Sequence, residues 1–87
     1  MKAIFRHVCA ARARTGCDAE EIELEFEIPF LPAAGMMIAA NDRSDLLKVD
    51  EVFWFAERPS EVELYAVDDE EKLRPFSYWR KQGWKRS

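Results

Sequence analysis

No apolar run in this chain approaches the roughly 20 residues that a membrane-spanning helix requires, so no membrane span is expected. The opening Met1-Lys2-Ala3-Ile4-Phe5 meets Arg6 and His7 at once. A secretory leader needs an unbroken apolar core of about 7–15 residues, and the expectation is therefore a cytoplasmic protein. Cysteine is scarce. Cys9 and Cys17 alone do not make a disulfide framework; both should be free thiols, with Cys9 packing as a small hydrophobe. Histidine is scarcer still. His7, Cys9 and Cys17 read His-x-Cys-x7-Cys, which is no zinc-finger or zinc-ribbon spacing, so no metal site is expected. The three glycines stand alone at 16, 35 and 83, which excludes a Gly-rich phosphate loop.

Catalytic signals are missing in the same way. His7 and Cys9 lie two apart on one strand, with side chains roughly 6–7 Å apart, too far for a thiolate–imidazole pair. Cys17 sits beside acids, which disfavours its thiolate. Carboxylates are abundant, but Asp42 and Asp45 lack calcium-loop spacing. Glutamates on a solvated strand face lack the desolvation or like-charge partner that tunes a catalytic acid. The chain is expected to be no enzyme and to carry no cofactor.

What is present is a charge pattern. Residues 1–14 hold four bases and no acid. Residues 18–71 hold all 17 acids against Arg43, Lys48 and Arg58, a balance of −14. Residues 72–87 hold six bases and no acid, and the whole chain comes to −4. Within one fold, basic ends would neutralise an acidic middle; alternatively the basic end meets a polyanion. Eighty-seven residues make a single domain, 1–87, with one thin core.

Hydrophobic periodicity fixes the fold class. In Glu21-Ile22-Glu23-Leu24-Glu25-Phe26-Glu27-Ile28 the apolar residues all point one way and the glutamates the other, which only a strand achieves. Pro29 and Pro32 stop it. Ala3, Phe5, His7, Cys9 and Ala11 form the matching face of a first strand, although Ala and Arg make residues 3–14 tolerable as a helix. Thr15-Gly16-Cys17-Asp18 offers turn chemistry, and a hairpin closing there puts Arg12 opposite Glu21 and Arg6 opposite Glu27. Phe30 and Leu31 should tuck under the sheet. Met36–Ala40 reads as a short strand. A second hairpin, Val49–Ala56 with Glu61–Val67, is expected to bury Phe53, Phe55, Val62 and Leu64. Val52, Trp54, Glu61, Glu63 and Tyr65 then share the outer face. Asp68–Leu73 could start a helical turn, and Ser77 could cap a short helix, Tyr78–Gln82, ending at Gly83. The expected fold is mostly β: a small SH3-like or related antiparallel barrel of about five strands with a short C-terminal helix. A two-layer α+β arrangement is the alternative.

The segment Phe76-Ser77-Tyr78-Trp79-Arg80-Lys81-Gln82-Gly83-Trp84-Lys85-Arg86 packs four aromatics and four bases into 11 residues. The basic aromatic C-terminal segment, 77–87, has three readings. It folds back over Trp54 and Tyr65 on the outer face; or it binds a protein, since Trp, Tyr and Arg dominate interface hot spots; or it binds nucleic acid or an anionic membrane surface, with aromatics stacking and cations meeting phosphates. The acidic middle opposes the last. The glutamate ladder could also mimic nucleic acid, but facing arginines would neutralise it. The expected function is a small soluble protein–protein interaction module, with self-association among its modes. Its candidate residues are Trp54, Tyr65, Tyr78, Trp79, Arg80, Lys81, Trp84, Lys85 and Arg86. The rival is a nucleic-acid-binding small barrel that uses the C-terminal segment.

Overall fold

The computed structural model describes residues 1–10, 19–67 and 73–86. The elements are β1 (Lys2–Ala10), β2 (Ala19–Glu27), β3 (Met37–Ile38), β4 (Leu47–Trp54), β5 (Glu61–Ala66), α1 (Phe76–Arg80) and β6 (Lys85–Arg86). The strands form one six-stranded sheet, curled into a half-barrel, in the order β3-β4-β5-β1-β2-β6. The fold is therefore mostly β and barrel-like with one short helix, as the alternation implies. The sheet has six strands rather than five, and one of its pairings, β1 with β5, is parallel. Asp68–Lys72 lie outside the described residues, as do Ala11–Asp18 with the expected turn and the Arg12–Glu21 pairing.

The first hairpin keeps its predicted faces in a different register. Lys2 pairs with Glu27, Ala3 with Phe26, Phe5 with Leu24 and His7 with Ile22. Arg6 thus stands opposite Glu23, not Glu27. The slip from the expected pairing is four residues, an even number, so each side chain stays on its face. Val8, not Arg12, is the residue opposite Glu21. The pairing seats bulky Phe26 against small Ala3 on the inner face.

The second hairpin changes phase within β4. Leu47 and Val49 are buried, and Val49 pairs with Ala66. The register then shifts between Val49 and Glu51, and the pairing resumes with Glu51 opposite Tyr65, Val52 opposite Leu64, Phe53 opposite Glu63 and Trp54 opposite Val62. One extra residue on one strand is a β-bulge, and it reverses which residues face inward. The expectation that Phe53 and Phe55 are core is thereby corrected. Phe53 shares the outer face with Glu63, and both phenylalanines are exposed, at 40% and 39%. Val52 and Trp54 take the inward phase instead.

The concave face carries the core. Ala3, Phe5, Cys9, Ile22, Leu24, Ile28, Ile38, Leu47, Val49, Val62, Leu64, Trp79 and Trp84 form one cluster. Trp79 and Trp84 pack onto this face with Phe5 and His7, so the C-terminal segment does not fold over Tyr65 on the outer face, and Trp54 is left 46% exposed. Helix α1 begins after Pro75, with no side-chain cap, so Ser77 is not its N-cap. The chain turns out of it at Gly83, whose φ of +102° suits a residue without Cβ. Trp79 meets His7 edge-on at 4.7 Å and Trp84 at 5.9 Å, and Trp84 lies 5.6 Å from Phe5. His7 is buried in this aromatic group. Two more expectations fail: Phe30 and Leu31 are 51% and 55% exposed, because Pro32 is the loop residue that turns inward. Met36–Ala40 contributes only the two-residue β3.

Candidate protein-interaction surface

The outer face of the sheet divides into a charged half and an aromatic half. The charged half spans β5, β1, β2 and β6, where acidic and basic rows alternate strand by strand. Arg6 is its centre. Its Nη1 donates to Glu63 Oε1 at 2.7 Å and to the Tyr65 hydroxyl at 3.4 Å, and its Nε and Nη2 lie 3.6 and 3.9 Å from Glu21 and Glu23. The Glu63 hydrogen bond foremost holds the guanidinium still more firmly protonated than usual, against the desolvation that opposes it. Lys2 bridges Glu25 and Glu61 at 3.8 and 3.7 Å. Lys85 on β6 reaches Glu25 at 3.2 Å and Glu23 at 3.8 Å. The Lys85 hydrogen bond, with Lys2 nearby, holds the Glu25 carboxyl below its ordinary range. Cations in rows between the glutamates remove the self-repulsion that a bare ladder would suffer.

This arrangement decides what the C-terminal segment offers. Trp79 and Trp84 are 0% and 4% exposed, so both leave the set of residues available to a partner. Tyr78 donates its hydroxyl to Asp45 at 2.8 Å, which pushes its pKa up and ties α1 to the polar turn before β4. Arg86 donates to Glu20 at 2.8 Å and lies 4.0 Å over the Phe76 ring. Lys85 is engaged as above. Of the predicted tail residues, Arg80 and Lys81 alone are exposed with no ion pair among the described residues.

The aromatic half lies on β4 and the turn after it, with Phe53 on the outer face and Trp54 beside it in the inward phase. Trp54 is 46% exposed and donates Nε1–H to the Pro59 carbonyl at 3.1 Å. Phe53 meets Tyr65 edge-on at 5.5 Å, and Arg58 stacks over Phe55 at 4.7 Å. From the sequence, Trp54 and Tyr65 are candidates for a surface and Phe53 and Phe55 belong to the core; the structure leaves both phenylalanines exposed. A signal for them exists in Asp50-Glu51. Adjacent acids in an unbroken strand would force one into the core, and a bulge avoids that. Exposed Met37 and Leu46, at 49% and 55%, add to the apolar character of the β3–β4 end of the sheet.

The same strand has an open flank. β3 pairs with β4 only at Leu47 and Lys48, and the chain before β3 adds Gly35 N–H to Val49 O and Val49 N–H to Met36 O. From Asp50 to Trp54, β4 has β5 on one side and no described strand on the other. Side-chain face and hydrogen-bond direction alternate together along a strand. Val49 faces inward and bonds toward β3, so the inward-facing Val52 and Trp54 turn their peptide groups to that same, open, side.

The described depressions are small. One of about 70 Å³ is lined by Arg6, His7, Val8, Glu21, Tyr65 and Ala66. Another, about 230 Å³ and open to solvent, lies beside Lys2, Glu25, Phe26 and Glu27. Both fall below the roughly 300–1,000 Å³ of ordinary small-molecule sites. Among the described residues no helix is long and apolar enough to cross a membrane. No protein-family model matches the chain, and comparison with curated proteins and with solved structures finds no match.

Proposed function

We propose that this chain is a small, non-catalytic protein–protein interaction module of the cytoplasm that takes an extended partner segment along the open flank of β4. The observation that carries the reading is the run Phe53-Trp54-Phe55, three consecutive aromatics 40%, 46% and 39% exposed at the end of β4 and the residue after it, where one side of the strand is unpaired among the described residues. Sheets recognise extended peptides by adding a strand: main-chain hydrogen bonds supply affinity and alternate side chains supply selectivity. Aromatic residues suit both faces of such a joint, and natural edge strands without a partner are ordinarily blunted by charge, proline or a bulge. The bulge here precedes the aromatic run and leaves it clear. Arg58 over Phe55 and the exposed Glu51 provide a polar rim.

Panning a displayed library of random peptides on the intact chain tests this. Peptides should be enriched, and their binding should fall at least tenfold on the Phe53→Lys/Phe55→Lys double variant, whose far-ultraviolet circular dichroism should match the parent. Failure to enrich any peptide, or binding indifferent to both substitutions, would overturn the proposal. The nucleic-acid reading is the weaker one, because burial takes Trp79 and Trp84 out of reach of bases and glutamates engage Lys85 and Arg86.

A further inference from the structure

The sheet has two incompletely paired flanks, and they differ in chemistry. β6 covers β2 only at Ile22 and Glu23, so among the described residues Leu24–Glu27 also has a neighbouring strand on one side alone. That flank is guarded by Glu25, Glu27 and Lys85, the kind of charge that keeps an edge from pairing. The β4 flank has no such guard between Val52 and Phe55. Its charges stand just outside, with Asp50 and Glu51 before the aromatics and Arg58 after them.

Resting on the interaction-module reading, we infer that the occupant of the β4 flank is a second copy of this chain, its β4 antiparallel to the first about a twofold axis at Phe53. An isologous joint requires a self-complementary edge, and the sequence of β4 selects one register. With Phe53 opposite Phe53 of the second copy, Val52 lies opposite Trp54 and Glu51 opposite Phe55. Phe53 then faces Phe53 on one face and Val52 faces Trp54 on the other, and no acid stands opposite an acid. Moving the axis to Val52 sets Asp50 against Trp54, and moving it to Glu51 sets two glutamates face to face, which is destabilising.

Charge complementarity supports the same register. Arg58 stacks on Phe55 at 4.7 Å and lies 3.5 Å from Glu61, so placing Phe55 opposite Glu51 brings each guanidinium a second carboxylate, from the other copy, twice per dimer. Glu51 is exposed and makes no ion pair among the described residues. The peptide groups of Val52 and Trp54, both turned to the open side, supply the reciprocal main-chain bonds. The result is a continuous twelve-stranded sheet, twice the six strands of one copy, with Trp54 roofed by Val52 of the second copy. A joint of this length is small, so the dissociation constant should lie at about 10–500 µM.

Sedimentation velocity on the full chain from about 10 µM to about 1 mM should show a monomer–dimer equilibrium, and Phe53→Lys should weaken it at least tenfold. Cysteine pairing fixes the register, because directly opposed residues have Cβ atoms about 4.5–5.5 Å apart. In a Cys17→Ser background oxidised with copper–phenanthroline, Phe53→Cys should give a covalent dimer. Glu51→Cys alone should not, but mixed with Phe55→Cys it should. A chain that stays monomeric at the top concentration, or Glu51→Cys crosslinking by itself, overturns the inference. A monomer that still captures peptides through Phe53 and Phe55 removes the second copy as occupant and leaves the module reading intact; a monomer that captures none removes both.

Discussion

Replacing Trp79 by alanine separates a structural tail from a binding tail. The indole is fully buried, lies 4.7 Å from the His7 ring and 5.9 Å from Trp84, and is the one buried residue of α1. Truncating such a side chain to alanine removes its transfer free energy and leaves a cavity, about 3–5 kcal/mol in all. Stability of roughly 0.05–0.15 kcal/mol per residue gives a chain of this length about 4–13 kcal/mol in total, so the loss consumes a large fraction of it. Trp79→Phe keeps one ring, and the indole Nε1–H has no hydrogen-bond acceptor among the described residues, so this variant forfeits no hydrogen bond. It should cost only about 1–2 kcal/mol. Urea unfolding followed by far-ultraviolet circular dichroism measures both, with the slope checked for two-state behaviour. Deleting Ser77–Ser87 should abolish cooperative unfolding, since it removes both Trp79 and Trp84. A Trp79→Ala variant within about 1 kcal/mol of the parent, or a truncated chain that unfolds like the whole, would refute the reasoning and return the tail to the surface.

Other perturbations probe the charged half and the exit from α1. Arg6→Met leaves Glu21, Glu23 and Glu63 without their shared cation; it should lower stability by about 1–2 kcal/mol in low salt, and the deficit should shrink in 1 M NaCl, where the Debye length is about 3 Å. Gly83→Ala should cost about 1 kcal/mol in the same urea assay, from the positive φ alone, because the added Cβ meets Leu24 Cδ1 at an ordinary 3.5 Å. Acid should weaken the fold in a defined direction. The Glu25 carboxyl is depressed in the folded state, so its contribution is present above the ordinary glutamate value of about 4.3 and is lost as pH falls through the lower folded value. Thermal unfolding followed through this range should show the melting temperature falling below that pH, and Glu25→Gln should flatten the decline.

The parts of the fold legible in the sequence are those where one pattern decides. The alternation from Glu21 to Ile28 fixed a strand and its two faces, and an even register slip left Ile22, Leu24 and Ile28 buried in spite of the wrong pairing. The parallel contact between β1 and β5 was not legible, because strand order across a crossover leaves no trace in local periodicity. The C-terminal segment was ambiguous for a related reason. Aromatics beside bases suit a core flanked by ion pairs as well as an interface, and only the glutamates opposite Lys85 and Arg86 distinguish the two.

The misreading of β4 and the proposed surface have one origin. Without the bulge, Leu47, Val49, Phe53 and Phe55 would lie in one inward phase, and Trp54 would stand alone on a solvated face. A single extra residue at Asp50 keeps both acids out of the core, turns Val52 inward, and drives Phe53 and Phe55 to the outside. Burying two phenylalanines is worth several kcal/mol at about 1.5–3 kcal/mol each, so a strand that forgoes this without a partner is poorly optimised as a monomer. Deleting Asp50 tests the connection. The shortened strand should keep the pairs already present, Val49 with Ala66 and Glu51 with Tyr65, so Phe53 stays opposite Glu63 and both phenylalanines stay outside. The variant should then pair with β5 without interruption and retain peptide capture and self-association together. Loss of both binding properties in a folded Asp50 deletion would break the link between this phase and the surface.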